Sequence, residues 1–189
     1  MKLMVLQGSS RPQPQGAVVA KWVMDTVAGQ SDISAELVNA IDLELPFYNE
    51  AMGPTMLATY NKPYSEAKGA VWAKKVGEFD AFIFISPEYN HSTSAVLKNA
   101  IDWVGPEWAK KPVAFISYGY GASGGRAVEH LRQIVNELRM VPLRDALLFD
   151  LPSQPFDSEG KPNEGATKSL TSMLTSLAEF SEALKPLRS

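Results

Sequence analysis

Three polar turns hold the residues of this 189-residue chain that are best suited to ligand chemistry. The first turn, residues 8–16 (GSSRPQPQG), precedes a helix-like stretch at 17–27, whose free amides attract anions. A helix dipole contributes only about 0.3–1 kcal/mol, so side-chain donors must supply most of the binding energy. The donors in this turn are Ser9, Ser10, Arg11 and Gln15. We predict a phosphate site that is not a P-loop, because no Lys-Ser/Thr pair follows the glycine.

The second turn, residues 86–92 (SPEYNHS), offers a carboxylate, a phenol, a carboxamide and an imidazole. This set suits a flat heterocycle with a polar edge. The ring of Tyr89 packs beside such a ligand, while Asn90 and backbone amides reach its hydrogen-bonding groups. We interpret His91 as a solvated loop residue.

The third turn, residues 117–125 (SYGYGASGG), contains two overlapping glycine motifs. Gly119, Gly121 and Gly124 match the dinucleotide pattern G-x-G-x-x-G, although the first turn already occupies the place where that pattern normally lies. Residues 121–125 match the hydrolase pattern G-x-S-x-G, which needs an acid and then a His downstream, but the last His of the chain, His130, lies only seven residues on, inside the following helix. We therefore favour a loop whose glycines let the backbone approach a flat ligand closely. A regulatory nucleotide-binding module remains an alternative for this loop.

Short apolar runs predict the elements that position these turns. They occur at 3–6, 81–85, 113–116 and 146–149, with a weaker one at 33–38. Such continuous runs are typical of strands covered on both faces, and helical stripes lie between them. The alternation predicts one α/β domain over residues 1–189, with five parallel strands and about five helices. Because parallel strands share a carboxyl edge, the three turns should meet there.

Two segments interrupt this alternation. Residues 41–63 contain three prolines together with aromatic and methionine residues and are too apolar for a disordered linker, which predicts an ordered excursion packed against the body, a ligand or another subunit. Residues 152–165 are rich in Pro, Ser, Gly and charge, which predicts an exposed loop.

Composition excludes several function classes. A net charge of −3 disfavours nucleic acid as a partner, and the absence of Cys excludes thiolate metal sites and thiol nucleophiles. The two histidines, His91 and His130, do not join carboxylates at metal-ligand spacing, so we predict no metal site. No apolar run is long enough to span a membrane, and we expect a soluble cytoplasmic protein. Since no acid pair indicates general acid-base catalysis, the reactive group is predicted to be a cofactor.

Several sequence blocks resemble the NADPH-dependent FMN reductase family, a flavodoxin-like group of quinone, azo-dye and metal-ion reductases. The matching blocks are GSSR at 8–11, LPFY at 45–48, PEYN at 87–90, LKNAIDW at 97–103, SYG at 117–119 and SGG at 123–125. The first turn departs from the commoner form, in which Ser and Asn follow the Arg; here PQPQ stands at 12–15, and Gln15 is the candidate for the additional phosphate contact.

The resemblance implies a three-layer α/β/α fold with strand order 2-1-3-4-5, which binds FMN and uses NADPH or NADH as co-substrate. Hydride would pass through FMN to a quinone, free flavin, azo compound or metal ion, with no catalytic side chain. The implied phosphate contacts are Ser9, Arg11, Gln15, Gly16 and Ala17; the implied ring contacts are Pro87, Glu88, Tyr89 and Asn90, and Ser117, Tyr118 and Gly119 close the site. A flavodoxin-like electron carrier is the alternative, which the modest acidity of the chain disfavours.

Family members are usually dimers or dimers of dimers, so the resemblance also implies a homodimer or homotetramer. A subunit interface would then contain Trp103, Trp108 and the excursion around 47–56. The same residues would form one side of the substrate-binding face.

Overall fold

A computed structural model describes residues 1–12 and 15–188 of the protein, and its centre is a five-stranded parallel sheet. The strands are β1 (Lys2–Gln7), β2 (Ser34–Asn39), β3 (Ala81–Pro87), β4 (Pro112–Gly119) and β5 (Val141–Asp150). Their order across the sheet is β2-β1-β3-β4-β5, which confirms the predicted fold. All five strands extend beyond the apolar runs, because backbone pairing continues into polar neighbours: Gln7 pairs with Ile85, and Ser86 with Ser117.

Six α-helices occur in the described part of the chain, one more than the sequence analysis anticipated. They are α1 (Gln15–Ala28), α2 (Pro54–Thr59), α3 (Ala67–Gly77), α4 (Ala95–Asp102), α5 (Gly125–Glu137) and α6 (Glu164–Leu184). The additional helix is α2, which is six residues long and lies in a proline-rich segment that shows no helical stripe in the sequence. None of the helices described at 1–12 and 15–188 is both long and apolar enough to cross a bilayer.

The helices cover both faces of the sheet and enclose two hydrophobic cores. One core joins α1 and α6 to the sheet, with Leu170, Leu174 and Leu177 of α6 fully or almost fully buried. The opposite core joins α3, α4 and α5 to the sheet and contains three buried tryptophans. Because β3 and β4 are buried on both faces, their sequences are almost continuously apolar.

The prediction that Trp103 and Trp108 lie at a subunit interface was wrong. Both side chains are completely buried in the α3/α4 core. The Trp103 indole donates a hydrogen bond of 2.7 Å to the Pro46 carbonyl, and the Trp108 ring packs edge-on against Phe82 at 4.8 Å. The interface position was implied by the family resemblance alone; in the fold both rings anchor the chain between α4 and β4.

The excursion at 41–63 is ordered and packs against the body, as predicted. The side chain of Asn99 donates to the carbonyls of Leu45 and Pro46 and accepts from the Tyr48 amide at 3.2 Å. This one carboxamide therefore satisfies three backbone groups of an irregular segment. The exposed large apolar residues of the excursion are Ile41, Phe47, Met52, Met56 and Tyr60.

Lys111, directly before β4, is a buried cation whose ammonium donates to the Val76 and Gly77 carbonyls at the end of α3. Burial, aided by the nearby Arg188 charge, lowers the pKa of Lys111 from its ordinary 10.5 to about 8. The unfolded chain thus holds this proton at a pH where the folded chain has released it. Stability should therefore rise as the pH increases between 8 and 10.5.

We expect wild type to gain about 2 kcal/mol of unfolding free energy relative to Lys111→Met between pH 8 and pH 10. Urea unfolding of both proteins at the two pH values measures the change. The neighbouring, exposed Lys110→Met is the matched control and should follow wild type. If the difference in unfolding free energy between wild type and Lys111→Met were the same at both pH values, the pKa of Lys111 would be equal in the folded and unfolded states.

Candidate functional site

The three turns meet at the carboxyl edge of the sheet, as predicted, and form a cleft of about 180 Å³ that we call the edge cleft. Its lining residues are Ser9, Arg11, Gln15, Pro87, Glu88, Tyr89, Tyr118, Gly119, Tyr120 and Leu151. Eight of these ten belong to the predicted site. The predicted residues that do not line the edge cleft are Gly16, Ala17, Asn90 and Ser117.

The first turn is held down by hydrogen bonds from both sides. The Gly8 amide donates 2.8 Å to the Ile85 carbonyl at the end of β3, and the Ser94 hydroxyl donates to the Gly8 carbonyl. Ser9 is buried; its hydroxyl accepts from the Arg11 amide and lies 3.3 Å from the Tyr89 hydroxyl. The turn thus begins from a fixed point beside the second turn.

Arg11 is exposed and places its guanidinium 5.0 Å from the centre of the Tyr89 ring, in cation–π contact. It is the one cationic side chain among the residues that line the edge cleft. The first turn of α1 has no acidic residue, so no carboxylate in that turn offsets the positive end of the helix dipole. This corner of the edge cleft is therefore suited to an anion.

The second turn is a tight hairpin rather than an open loop. The amides of Tyr89 and Ser92 each donate to the other residue's carbonyl, at 2.9 and 3.0 Å. Asn90 and His91 both have positive φ, 49° and 69°, as a two-residue type I′ turn requires. Both are exposed at the tip, which confirms the solvated position of His91 and places Asn90 outside the edge cleft. A type I′ turn is usually recognised in a sequence by the pair Asn-Gly. Here His91 stands in the place of the glycine, so the sequence did not predict this turn.

Glu88 joins the second turn to the third. Its side chain is only 5% exposed, and its carboxylate accepts from the Arg126 guanidinium at 2.8 Å and from the Arg126 amide at 3.1 Å. The carboxylate thus also caps the positive end of α5. Both oxygens are engaged, so Glu88 positions the turns, and the sequence carried no pattern that paired it with Arg126.

The base of the third turn is tightly packed. The Ser117 side chain is fully buried and donates 2.8 Å to the Ser86 carbonyl, so it ties β4 to β3 and does not reach the edge cleft. Gly124 lies against it with φ 90°, and a Cβ there would stand 2.2 Å from the Ser117 hydroxyl. Two lining residues, Tyr120 and Leu151, were not predicted from the sequence. Their positions depend on loop geometry, for which neither residue type carries a signal.

Four larger clefts lie elsewhere on the described part of the protein. One of about 580 Å³ separates β5 from α6, and one of about 510 Å³ lies near Lys111 at the opposite edge of the sheet. One of about 410 Å³ lies beside Leu43 and α3, and one of about 290 Å³ lies between α5 and β5. None of the four contains any residue of the first or second turn. Within the described residues there is also no group of three His, Cys, Asp or Glu side chains able to hold a metal ion. The edge cleft is therefore the strongest candidate for the functional site.

Comparison with known proteins shows the family of this chain. The profile of the NADPH-dependent FMN reductases matches residues 1–152, which include all three turns. The chain belongs to the NADPH-dependent FMN reductase family. It is 38% identical over 167 residues to the NADPH:quinone oxidoreductase of Arabidopsis thaliana, covering 82% of each chain. It is 30% identical over 185 residues to an NAD(P)H-dependent FMN reductase of Schizosaccharomyces pombe, covering 96% of this chain and 89% of the relative.

A solved structure shares the fold of this FMN reductase family member. FerB, a flavoenzyme NAD(P)H:(acceptor) oxidoreductase from Paracoccus denitrificans, aligns with a TM-score of 0.76 at 20% identity and covers 96% of this chain and 97% of its own. The match of the family profile to residues 1–152, together with the two relatives, confirms the predicted family. Family membership also supports the FMN-dependent oxidoreductase class over the electron carrier.

The edge cleft of this FMN reductase family member fits a phosphorylated flavin. Gly16 lets the start of α1 approach the sheet, because a Cβ there would stand 2.6 Å from Gln7 Nε2 and 2.8 Å from the Tyr118 hydroxyl. Gln7 Nε2 is buried and has no hydrogen-bond partner in the described structure. One donor therefore remains unused beneath the anion corner, the part of the edge cleft formed by Arg11 and the start of α1. An aromatic ring, Tyr89, lies at the same corner.

Tyr118 adds a second donor at the floor of the edge cleft. Burial, together with the nearby Tyr89, raises the pKa of the Tyr118 phenol to about 12, although Ser9, the Gly16 amide and Arg11 oppose the shift. The phenol is therefore protonated at physiological pH and its hydroxyl can donate to an anionic ligand.

Proposed function

We propose that the protein binds FMN in the edge cleft and catalyses NAD(P)H-dependent reduction of a small-molecule acceptor. One observation supports this most directly: an anion corner and an aromatic hairpin share the same cleft, with Arg11 resting on the Tyr89 ring. These are the two features that FMN needs, since it joins a phosphate to a flat ring. Bound FMN would supply the redox chemistry, accepting hydride from the nicotinamide and returning electrons to the acceptor.

In this proposal the first turn holds the phosphate. Ser9, Arg11 and Gln15 supply side-chain donors, and the amides of Gly16 and Ala17 supply the positive end of α1. Arg11 contributes most, because it adds a full charge to its hydrogen bonds.

The second and third turns would border the flavin ring. Pro87, Tyr89, Tyr118 and Gly119 line the edge cleft from these turns. Glu88 and Ser117 act indirectly, since their side chains hold the turns together. Asn90, at the exposed hairpin tip, would contact a ligand only at the outer rim.

The protein's own residues would bind and orient the reactants. The edge cleft, at about 180 Å³, is smaller than the ~300–1,000 Å³ of sites that enclose a whole ligand. It therefore suits a cofactor held by part of its surface, with one face left open to a nicotinamide and an acceptor in turn. Its one lining carboxylate, Glu88, is engaged by Arg126 and is not free for proton transfer.

We also propose that residues 1–189 form one cytoplasmic domain that assembles as a homodimer or homotetramer. Helix α6 lies beyond the matched residues but packs in the same core as α1. The excursion exposes Phe47 at 79% and Tyr60 at 60%, apolar surface that a second copy would cover. Light scattering after gel filtration measures the assembly; a monomer would contradict this proposal and leave the enzymatic one standing.

The absorbance spectrum of the purified protein tests the function. After FMN is added and excess is removed by desalting, we expect flavin absorbance to remain with the protein. NADPH added under nitrogen should bleach it, and a quinone should restore it. Bound flavin that NADPH does not bleach would indicate an electron carrier, and colourless protein after desalting would contradict tight FMN binding.

A further inference from the structure

Tyr120 is a large aromatic residue whose side chain is exposed to solvent at the edge cleft. It is 72% exposed although it lines the same cleft as Tyr89 and Leu151. Glycines stand on both sides of it, at 119 and 121. No contact inside the described part of the protein explains why an aromatic ring occupies this position.

The backbone beneath Tyr120 is fixed, so its ring is presented from a rigid support. The Tyr120 carbonyl accepts from the Ala122 amide at 2.8 Å, and the Ala122 carbonyl accepts from the Gly125 amide at 2.7 Å. Gly119 packs closely on the second turn, where a Cβ would stand 3.1 Å from the Glu88 Cβ. At the apex, by contrast, a Cβ on Gly121 would meet nothing within 4 Å. The loop is anchored at its base and has open space beside Gly121 at its apex.

The chemistry around Tyr120 favours a flat, apolar reactant. The rings of Tyr89 and Tyr120 reach the edge cleft from two different turns, and Leu151 adds an aliphatic wall. The one carboxylate of the lining is already paired with Arg126, and the described residues contain no cluster of metal ligands. Aromatic rings attract other rings by offset stacking and by burial of apolar area.

We infer that Tyr120 is the residue that selects planar aromatic electron acceptors, quinones or azo-linked arenes, by stacking on them at the edge cleft. The inference rests on the proposed function and names the acceptor class of that site. It sets this class apart from acceptors without a flat ring, such as complexed metal ions.

Binding without turnover tests the inference independently of catalysis. Anthraquinone-2-sulfonate, a soluble planar quinone, is titrated calorimetrically into oxidised, FMN-loaded protein with no NADPH present. We expect Tyr120→Ala to raise the Kd about five- to tenfold and Tyr120→Phe to change it by less than about twofold, since stacking requires the ring and not the hydroxyl. Equal Kd values for wild type and Tyr120→Ala, or no binding by wild type, would overturn the inference.

Phe180→Ala is the matched control for loss of an exposed ring. Phe180 is 44% exposed and lies on α6 next to Ser181, whose carbonyl contacts Arg188 at the opposite edge of the sheet. This variant should bind the quinone as wild type does. Equal weakening by Phe180→Ala would show a general effect of lost surface rings and would overturn the inference.

Steady-state rates with NADPH then compare menadione, a flat quinone, with ferricyanide, which has no aromatic ring. At equal flavin content, Tyr120→Ala should raise the ratio of the menadione KM to the ferricyanide KM about five- to tenfold. A changed NADPH KM with an unchanged ratio would assign the ring to the nicotinamide and overturn the inference. Quinone binding that depends on Tyr120 in a protein that does not oxidise NADPH would contradict the proposed function and leave the stacking role intact.

Gel filtration of the same variants gives a last check. If Tyr120→Ala lowers the oligomeric mass, the ring contacts a second copy of the chain, which would overturn its role in acceptor binding. An unchanged mass supports that role.

Discussion

Replacing Arg11 with Ala should raise the Kd for FMN by about one to two orders of magnitude and leave the fold intact. A hydrogen bond to a charged group contributes roughly 1.5–3 kcal/mol, and each 1.4 kcal/mol changes the Kd tenfold. Arg11 is the one cation that lines the edge cleft, and it stacks on Tyr89 while its side chain is otherwise exposed. Its removal therefore leaves no cavity. Quenching of flavin fluorescence measures the Kd, and urea unfolding measures the stability.

Two further variants make the Arg11 test specific. Arg11→Lys keeps the charge but loses the planar group that stacks on Tyr89, and it should lie between wild type and the Ala variant. Lys21→Ala removes an exposed cation from α1 that pairs with Asp25 and should leave the Kd near the wild-type value. An Arg11→Ala protein that stays fully flavinated after dialysis would refute the phosphate assignment.

Gly124→Ala should destabilise the protein by roughly 2–5 kcal/mol and abolish the ordered third turn. The left-handed backbone at φ 90° costs a residue with a Cβ about 1–2 kcal/mol, and overpacking adds about 1–3 kcal/mol. The overlap is severe because the Cβ would stand 2.2 Å from the Ser117 hydroxyl and 2.6 Å from the Tyr118 amide nitrogen. Either neighbour can move only by breaking the link between β4 and β3. Urea unfolding and FMN titration should both show the loss.

Gly121→Ala is the matched control for Gly124→Ala. Gly121 also has positive φ, 75°, but a Cβ there would meet no atom within 4 Å. Its cost should be limited to the backbone term of about 1–2 kcal/mol. Equal destabilisation by the two variants would show that contact with Ser117 and Tyr118 contributes nothing.

Much of the fold was predictable because it follows from local patterns. Strands covered by helices on both faces must be apolar throughout, so β3 and β4 were visible as continuous runs. The alternation of strands and helices then requires a parallel sheet, and a parallel sheet brings its carboxyl-edge turns together. Eight of the ten residues that line the edge cleft were identified in this way and from the family resemblance.

Residue roles within the turns were less predictable. Glu88 and Ser117 stand in the expected segments, but their polar groups are used on Arg126 and Ser86. The hairpin at Asn90 and His91 was hidden because its second residue has positive φ without being glycine. Tyr120 and Leu151 reach the edge cleft through loop geometry that no periodicity encodes.

The order of apolar and polar residues was sufficient to predict the α/β architecture and the edge of the sheet where the three turns meet, since these depend on periodicity and on the position of turns along the chain. The family was recognised separately, from its sequence motifs. Only the folded structure decided which polar groups remain free. The burial of Trp103 and Trp108 and the pairing of Glu88 with Arg126 arise between segments that are distant in sequence. Such contacts depend on how the helices pack on the sheet, and no local pattern records them.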